Sequence, residues 1–310
     1  MKVEYRDVVP LVQNIKGWTS KDVIINQIPR PSFTPEILTA LDAAAQRTQE
    51  LRSPFGDTND PKASVRRLLI QGNELLVDFS QTEYFELWGL PGAASELHRQ
   101  ALNELNQNKA TDIPMGVSTH NIVLISPKGK LPTDETSVVM IINERNHGFA
   151  PGRLSISYEG QTDPTRDTDP NGVPSTHITV LRTLEEELGI GLDQSNIETS
   201  LGAIRLIAIC AEKGSAYTSW CHVVWVQATL ADLVTSYKVA PRHRDTAALL
   251  AVPLNKIAAF TQDKISIKDY EPYIIANSLT KKPDFVSPHP TVPWRIGALM
   301  NHLSHQYPLS

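Results

Sequence analysis

The sequence predicts an α/β fold in which helices pack on a mixed β-sheet, with an α+β region before it and a helix after it. From residue 116 onwards, strongly apolar strand-like segments are interrupted by an amphipathic helix over 177–188 and end in a helix after Pro293. The first third instead mixes helix and hairpin patterns. We therefore expect three parts, covering residues 1–112, 113–270 and 271–310.

The first part contains two predicted helices and a hairpin. "TPEILTALDAAAQRTQELR" (34–52) places a threonine cap and a proline at the start of a helix. "VRRLLIQGNELLVDFSQTEYFELWG" (65–89) predicts two strands joined at Gly72 and Asn73. The Leu and Ala spacing of 93–109 predicts a second helix.

The middle of the chain is dominated by predicted strands. They lie in 116–131, which also holds a turn, over 137–145, 153–160, 204–210 and 217–230, and in 245–260, which also holds a short helix. Two loops, 146–152 and 161–176, lie between them, and the final helix is expected over 294–305.

Composition excludes several classes of protein. A net charge of −5 gives no indication of nucleic-acid binding. There is no apolar run of about 18 residues and no signal-peptide pattern, so we expect no membrane segment and a cytoplasmic location. Cys210 and Cys221 lie in apolar strands, which favours two reduced core thiols over a disulfide or a metal site.

The stretch "TVLRTLEEELGI" (179–190) carries three consecutive glutamates on the predicted helix. With about 100° per residue, the helix separates an apolar face from a polar face. The apolar face holds Ile178, Leu181, Leu184 and Leu188, and the polar face holds Arg182, Thr183, Glu186 and Glu187. Gly189 then predicts a left-handed helix cap.

Glu186 and Glu187 could hold a divalent cation if a neighbouring loop supplies a third oxygen ligand. Mg²⁺ commonly takes few protein carboxylates and completes its shell with water and substrate phosphates. Arg182 stands one turn before Glu186 and can fix its rotamer by a hydrogen bond. Glutamate runs on exposed helices are, however, often no more than solvated surface, so that alternative stays open.

"RTLEEELGI" (182–190) resembles the second half of the Nudix box. The pattern of that box is G-x5-E-x7-R-E-U-x-E-E-x-G-U, in which U is aliphatic. The matching residues are Arg182, Leu184, Glu186, Glu187, Gly189 and Ile190. The flanking segments "NER", "APGRLSIS" and "LLAVPL" are also similar to that family, and the likeness spans roughly residues 116 to 262. It implies a Nudix-like α/β/α sandwich.

Two departures separate this chain from the box. Thr183 stands where the box has a glutamate that serves as metal ligand or general base. Counting back from Arg182, Pro174 and Thr168 occupy the early glutamate and glycine positions, so a long insertion is expected. Glu159 and Gly160 then become candidates for the displaced residues. A long linker of this kind resembles a Nudix branch with an N-terminal extension that includes UDP-sugar-cleaving members.

The resemblance implies hydrolysis of a nucleoside diphosphate linked to another group, such as a nucleotide sugar, with Mg²⁺ or Mn²⁺ as cofactor. It implies that Glu186 and Glu187, with Glu159, are the metal ligands. The same three glutamates and Arg182 are the expected catalytic residues. The water-activating base stays open among Glu159, Glu185 and Glu212.

Five further residues are candidates for binding the substrate. Arg145 and Arg153 flank the 146–152 loop, which borders the substrate pocket in a Nudix-like fold, and Arg242 and Arg244 lie in a basic loop suited to phosphate. Tyr158 could stack on a base or sugar, although strand aromatics more often belong to the core.

Two functions from different classes follow. The first is a Nudix-type hydrolase of a small diphosphate substrate, whose N-terminal region helps to build the pocket or a homodimer. The second is a catalytically impaired nucleotide-binding or sensor protein, because Thr183 replaces the box glutamate. An unrelated α/β protein with a solvated glutamate helix is the third interpretation.

Overall fold

A computed structural model of the 310-residue chain describes residues 8–52, 59–93, 95–127, 132–143, 152–191, 202–212, 214–241, 246–277 and 282–307. Within these ranges, no helix combines the length and the apolar character that a membrane crossing requires.

The described part of the N-terminal third contains four strands and three helices. They are β1 (Val8–Trp18), β2 (Val23–Gln27), α1 (Pro35–Arg52), β3 (Pro61–Gln71), β4 (Glu74–Glu83), α2 (Tyr84–Ala93) and α3 (Ser95–Asn106).

The rest of the chain contains ten strands and four α-helices within the described ranges, with 3₁₀ turns at Leu254–Thr261 and Glu271–Tyr273. The first of these elements are β5 (Met115–Ile125), β6 (Ser137–Asn143), β7 (Leu154–Ile156), β8 (Glu159–Gln161), α4 (Thr176–Leu188), β9 (Ile204–Glu212) and β10 (Tyr217–Val226). They are followed by α5 (Leu230–Val239), β11 (Thr246–Pro253), β12 (Ile265–Ser266), α6 (Ile267–Tyr270), β13 (Ile274–Asn277), β14 (Phe285–Val286) and α7 (Val292–Gln306).

Strand β5 is the hub of a large mixed sheet. One of its edges pairs with β10 in parallel along its whole length. Its other edge pairs antiparallel with β3, then β8, then β6. The pairing with β8 sets His120 opposite Glu159, so the topology alone brings these two distant residues together.

Helices cover both faces of this sheet. Along β5, Ile122 and Leu124 join a core that includes α7 residues, while Val123 and Ile125 join a core that includes α4 and α5 residues. This two-residue alternation is what a strand buried on both faces requires. A third core packs α1 and α3 on the N-terminal strands. The predicted α/β class with a large mixed sheet and a C-terminal helix is confirmed.

One sheet runs through the predicted boundary at residue 112. Strand β3 pairs with β5 across it, and β1 pairs with β9, about two hundred residues later in the chain. The three-part division of the chain stays a prediction, and these ladders show that its parts share backbone hydrogen bonds.

The predicted hairpin is confirmed, but its second strand ends earlier than expected. Gln71 pairs with Glu74 around Gly72, whose φ is +61°. Residues 84–89 form the start of α2 rather than strand. The Asn59 side chain accepts a hydrogen bond from the Phe85 backbone N–H at 2.9 Å and so satisfies a donor of the first turn.

Two further differences have local causes. The strand expected over 153–160 is two short strands, because Ser157 adopts φ +50° and its hydroxyl donates to Val139 O. The strand expected over 217–230 ends at Val226, and α5 follows it. Thr229 and Asp232 form a capping box there, a pattern that is visible in the sequence. Strands β1 and β2 were not expected.

Candidate active site

A cavity of about 870 Å³ lies between the N-terminal third and the glutamate helix. Its walls come from β3 and α2 on one side and from β5, β8, α4 and β9 on the other. The charged residues that line it are Arg52, Asp60, Lys62, His120, Glu159, Asp163, Arg166, Arg182, Glu186, Glu187 and Glu212. All four predicted catalytic residues, Glu159, Arg182, Glu186 and Glu187, therefore face one space.

Helix α4 turns two of its three glutamates toward the cavity. Glu186 and Glu187 line it, whereas Glu185 is exposed and does not. Glu187 is only 8% exposed and Thr183, one turn earlier, 2%. We expected both on the polar face of the helix. That face packs on β8 and the cavity wall, which a helical wheel cannot show. The left-handed cap at Gly189 is confirmed, with φ +65°.

The Arg182 guanidinium joins α4 to the long loop before it. It donates to both carboxylate oxygens of Asp167, from Nε at 2.7 Å and from Nη2 at 3.0 Å, and to Gln161 O. Its Nη1 donates to Glu186 Oε2 at 3.0 Å, so the expected bond to Glu186 is present. Asp167 is fully buried and was missed, because the loop "PTRDTDP" offers several acids and no periodicity to choose among them.

Thr183 and Gly160 pack directly on each other. A Cβ at Gly160 would lie 2.3 Å from Thr183 Oγ1, so only glycine fits. The Thr183 hydroxyl donates to Thr179 O at 2.7 Å. The Thr183 side chain thus serves the packing of α4 on β8. Gly160, which the sequence analysis named as a candidate for the displaced box glycine, is the residue that permits this close approach.

Glu159 is bound by a residue from the far end of the chain. Fully buried Arg295 on α7 donates from Nη2 to Glu159 Oε1 at 2.6 Å, and His120 Nδ1 lies 3.3 Å from the same oxygen. Burial alone would raise the pKa of Glu159, but His120 and Arg295 outweigh it and hold that pKa well below its usual range. Arg295 was missed because no local pattern marks a buried partner 136 residues away.

Glu212, at the end of β9, lies beside the same histidine. It accepts a hydrogen bond from Ser219 Oγ at 2.7 Å. His120 Nε2 is 3.9 Å from its Oε1, and His289 Nε2 is 3.9 Å from its Oε2. His120 therefore sits between two cavity carboxylates, with one ring nitrogen facing each.

The donor set suits a divalent metal only in part. Within the described ranges, no group of three or more His, Cys, Asp or Glu residues is placed to hold a metal ion. Glu159 is engaged by Arg295 rather than grouped with the α4 carboxylates. Glu186 and Glu187 nevertheless share the cavity, and two carboxylates suffice for Mg²⁺ when water and substrate phosphates complete its shell.

The predicted substrate-binding residues differ in where the structure places them relative to the cavity. Tyr158 lines the cavity but is nearly buried, and burial raises the pKa of its hydroxyl well above the usual value. Arg153 is exposed and is absent from the described cavity lining. Arg145, Arg242 and Arg244 lie outside the described residues. Their roles stay predictions.

The N-terminal region was expected to help build the pocket, but the residues of the cavity wall opposite α4 were not identified from the sequence. Tyr84 and Trp88 are four residues apart on α2 and both line the cavity, as Lys62 and Arg52 do. The Arg52 Cζ atom lies 5.0 Å from the Trp88 ring centroid, and the Lys62 ammonium 5.7 Å from that of Tyr84. The i, i+4 spacing of the two aromatics was visible in the sequence, but "TEYFELWG" was interpreted as strand, which hid it.

Comparisons with known proteins identify no relative from which a function follows. No protein-family model and no curated protein matches the chain. Among solved structures, the chain is similar to a NUDIX hydrolase from Alicyclobacillus acidocaldarius, with 13% identity and a TM-score of 0.31. The match covers 46% of this chain and 81% of that chain. At this level of similarity, any function has to be argued from the cavity itself.

Proposed function

We propose that the chain is a Nudix-type hydrolase that depends on a divalent metal and cleaves a nucleoside diphosphate linked to another group, such as a sugar. One observation supports the proposal above all. The two glutamates that match the end of the Nudix box, Glu186 and Glu187, line a cavity large enough for a nucleotide, together with the cations Lys62, Arg166 and Arg182.

Three charged residues of α4, and one arginine in the loop before it, have roles in this proposal. Glu186 and Glu187 would hold Mg²⁺ or Mn²⁺, which when bound offsets the negative charge that develops on the diphosphate. Arg182 holds the Glu186 carboxylate in place by a hydrogen bond at 3.0 Å, while Asp167 fixes the guanidinium from the other side. Arg166, 3.5 Å from Glu186, is exposed and can contact phosphate oxygens.

We assign the role of general base to Glu212. Glu185 is exposed away from the cavity. Glu159 has a strongly lowered pKa, so its carboxylate has little affinity for a proton. Glu212 faces the cavity and, within the described residues, accepts a hydrogen bond from Ser219 rather than pairing with an arginine.

The nucleotide-binding sensor remains the second candidate, and Thr183 favours it. This side chain replaces the box glutamate and is buried. Its hydroxyl donates a hydrogen bond to Thr179 O. A hydroxyl so engaged cannot take a proton from water at neutral pH. The cytoplasmic location and the homodimer also stay predictions.

A turnover assay with a double variant tests the proposal. The panel would contain nucleotide sugars, ADP-ribose, dinucleoside polyphosphates and dNTPs, each with Mg²⁺, Mn²⁺ or EDTA. We expect metal-dependent turnover that falls at least about a hundredfold in Glu186→Gln/Glu187→Gln, as the loss of groups that act on transition-state charge predicts. Arg182 keeps Asp167, so the melting temperature should change little.

The matched control is Glu74→Gln, which removes an exposed glutamate from the hairpin between β3 and β4, away from the cavity. It should leave turnover unchanged. Nucleotide binding without turnover on the whole panel, with or without metal, would decide for the sensor and against the hydrolase.

A further inference from the structure

The wall of the cavity that faces α4 has the composition of a nucleobase site. Trp88 is 39% exposed and is one of the residues that line the cavity. Tyr84 lies one helical turn earlier on the same face of α2. Two aromatic rings stacked along one helix offer a platform on which a flat ring can lie.

The wall is held in place by close packing of two helices. A Cβ at Gly89 would lie 2.3 Å from Ala44 O, so α2 approaches α1 as closely as only glycine permits. This approach sets Arg52, the last residue of α1, over the Trp88 ring at 5.0 Å from its centroid. The guanidinium is close enough for a cation–π contact with the indole, and both side chains line the cavity.

Lys62 stands between this wall and the α4 carboxylates. The backbone N–H of the next residue, Ala63, donates to Thr162 O at 3.0 Å, which ties β3 to the loop that follows β8. The Lys62 side chain is half-buried among Asp60, Asp163 and Arg182, and burial lowers the pKa of its ammonium. Asp60 and Asp163 reduce the attraction of this position for an anion, so Lys62 suits a single phosphate contact rather than a whole phosphate site.

We infer that Trp88, which Arg52 contacts at its ring, stacks on the base of a nucleotide, and that Lys62 contacts the phosphate nearest to the nucleoside. This inference deepens the proposed function, on which it rests for the identity of the bound phosphate compound. It specifies which residues contact the nucleobase that the proposed substrate carries, and so predicts that binding depends on the base. It also assigns the recognition of the base to the N-terminal third of the chain.

Binding without metal separates this inference from hydrolysis. AMP and UMP would be compared with ribose 5-phosphate, which has the same phosphate and sugar but lacks the base, by calorimetry in EDTA. We expect the two nucleotides to bind at least about tenfold more tightly than ribose 5-phosphate. Trp88→Leu should abolish that ratio, and Trp88→Phe, which keeps an aromatic ring, should retain most of it.

Lys62→Gln should weaken all three ligands alike, by several-fold, because its contact is with the shared phosphate. Two variants serve as matched controls that should change nothing. Arg67→Gln removes another cation of β3, one that forms an ion pair with Asp78. Phe285→Leu removes an exposed aromatic side chain of β14. Circular dichroism and melting temperature would verify that each variant is folded.

Equal binding of AMP, UMP and ribose 5-phosphate to the wild type would overturn the inference, and so would a lack of binding by all three at millimolar concentration. A base-dependent ratio that persists in Trp88→Leu would overturn it too. A base-dependent ratio that Trp88→Leu removes, in a protein that hydrolyses nothing, would support the nucleobase site and leave only the proposed hydrolysis refuted.

Discussion

Arg182 is the residue on which the geometry of the glutamate helix depends. Its guanidinium makes a bidentate contact with the fully buried Asp167 and a further bond to Glu186. Bidentate arginine–carboxylate pairs fix orientation as well as add stability. The loop between β8 and α4 is thereby fastened to the helix at the turn that carries the cavity carboxylates.

Asp167→Asn should destabilise the protein strongly. It leaves the partly buried Arg182 without its paired carboxylate, and breaking such a pair costs about 3 kcal/mol. The measurement is the free energy of unfolding from urea denaturation. Asp134→Asn, at an exposed position in the turn before β6, is the control and should shift it by no more than about 0.5 kcal/mol. Similar small changes in both variants would contradict the structural role of Asp167.

At the scale of elements, α4 packs on β10 through two buried histidines. The rings of His177 and His222 lie 5.1 Å apart, and His222 Nε2 is 3.2 Å from Thr176 Oγ1. Burial lowers the pKa of His177 to about 4. Burial, together with the charge that His177 would carry, lowers that of His222 well below its usual range. Both rings are therefore neutral in the folded protein near neutral pH.

Stability should fall as the pH drops from about 6.5 toward 4. In that window the unfolded chain binds protons that the folded histidines do not, and each such group contributes a slope of up to about 1.4 kcal/mol per pH unit. Other histidines whose pKa burial lowers add to the loss, namely His98, His289 and His302. The free energy of unfolding would be measured by urea denaturation at a series of pH values.

His177→Gln should reduce that slope by about one proton, because the amide does not titrate. Exposed His305→Gln, on α7, is the matched control and should leave the slope as it is. An unchanged slope in His177→Gln would mean that the buried pair does not carry the acid sensitivity.

At the scale of the whole molecule, the first strand and the last helix of the described chain pack against each other. The C-terminal helix α7 contacts strand β1 through His302 Nδ1, 2.7 Å from Ile15 O, and through Gln306 Nε2, which donates to Lys16 O at 3.0 Å. The same helix supplies Arg295 to Glu159. The cavity is thus walled by the N-terminal third, the glutamate helix and the strands between them, and is braced by the last helix.

We expect the chain to unfold in one transition. Strand ladders cross residue 112, so the parts on either side cannot lose structure independently. Calorimetric and van't Hoff enthalpies of the whole chain should agree, and residues 1–112 expressed alone should fail to show cooperative unfolding. Two resolved calorimetric transitions, or a folded 1–112 fragment, would instead support separate domains.

The sequence by itself determined the features that are local. The helix with its glutamates, its Gly189 cap, the hairpin at Gly72 and the apolar strands all follow from residue spacing over a turn or two, because backbone geometry imposes that spacing on any chain. The capping box at Thr229 was equally local and could have been found.

Only the tertiary structure decided which groups share the cavity. It turned Glu187 inward and Glu185 outward, chose Asp167 as the partner of Arg182, and brought Arg295 to Glu159 across 136 residues. It also set Trp88 and Lys62 opposite the glutamate helix. Such contacts depend on strand order and helix packing between segments far apart in the chain, and a contact of that kind leaves no periodic pattern in the sequence around either partner.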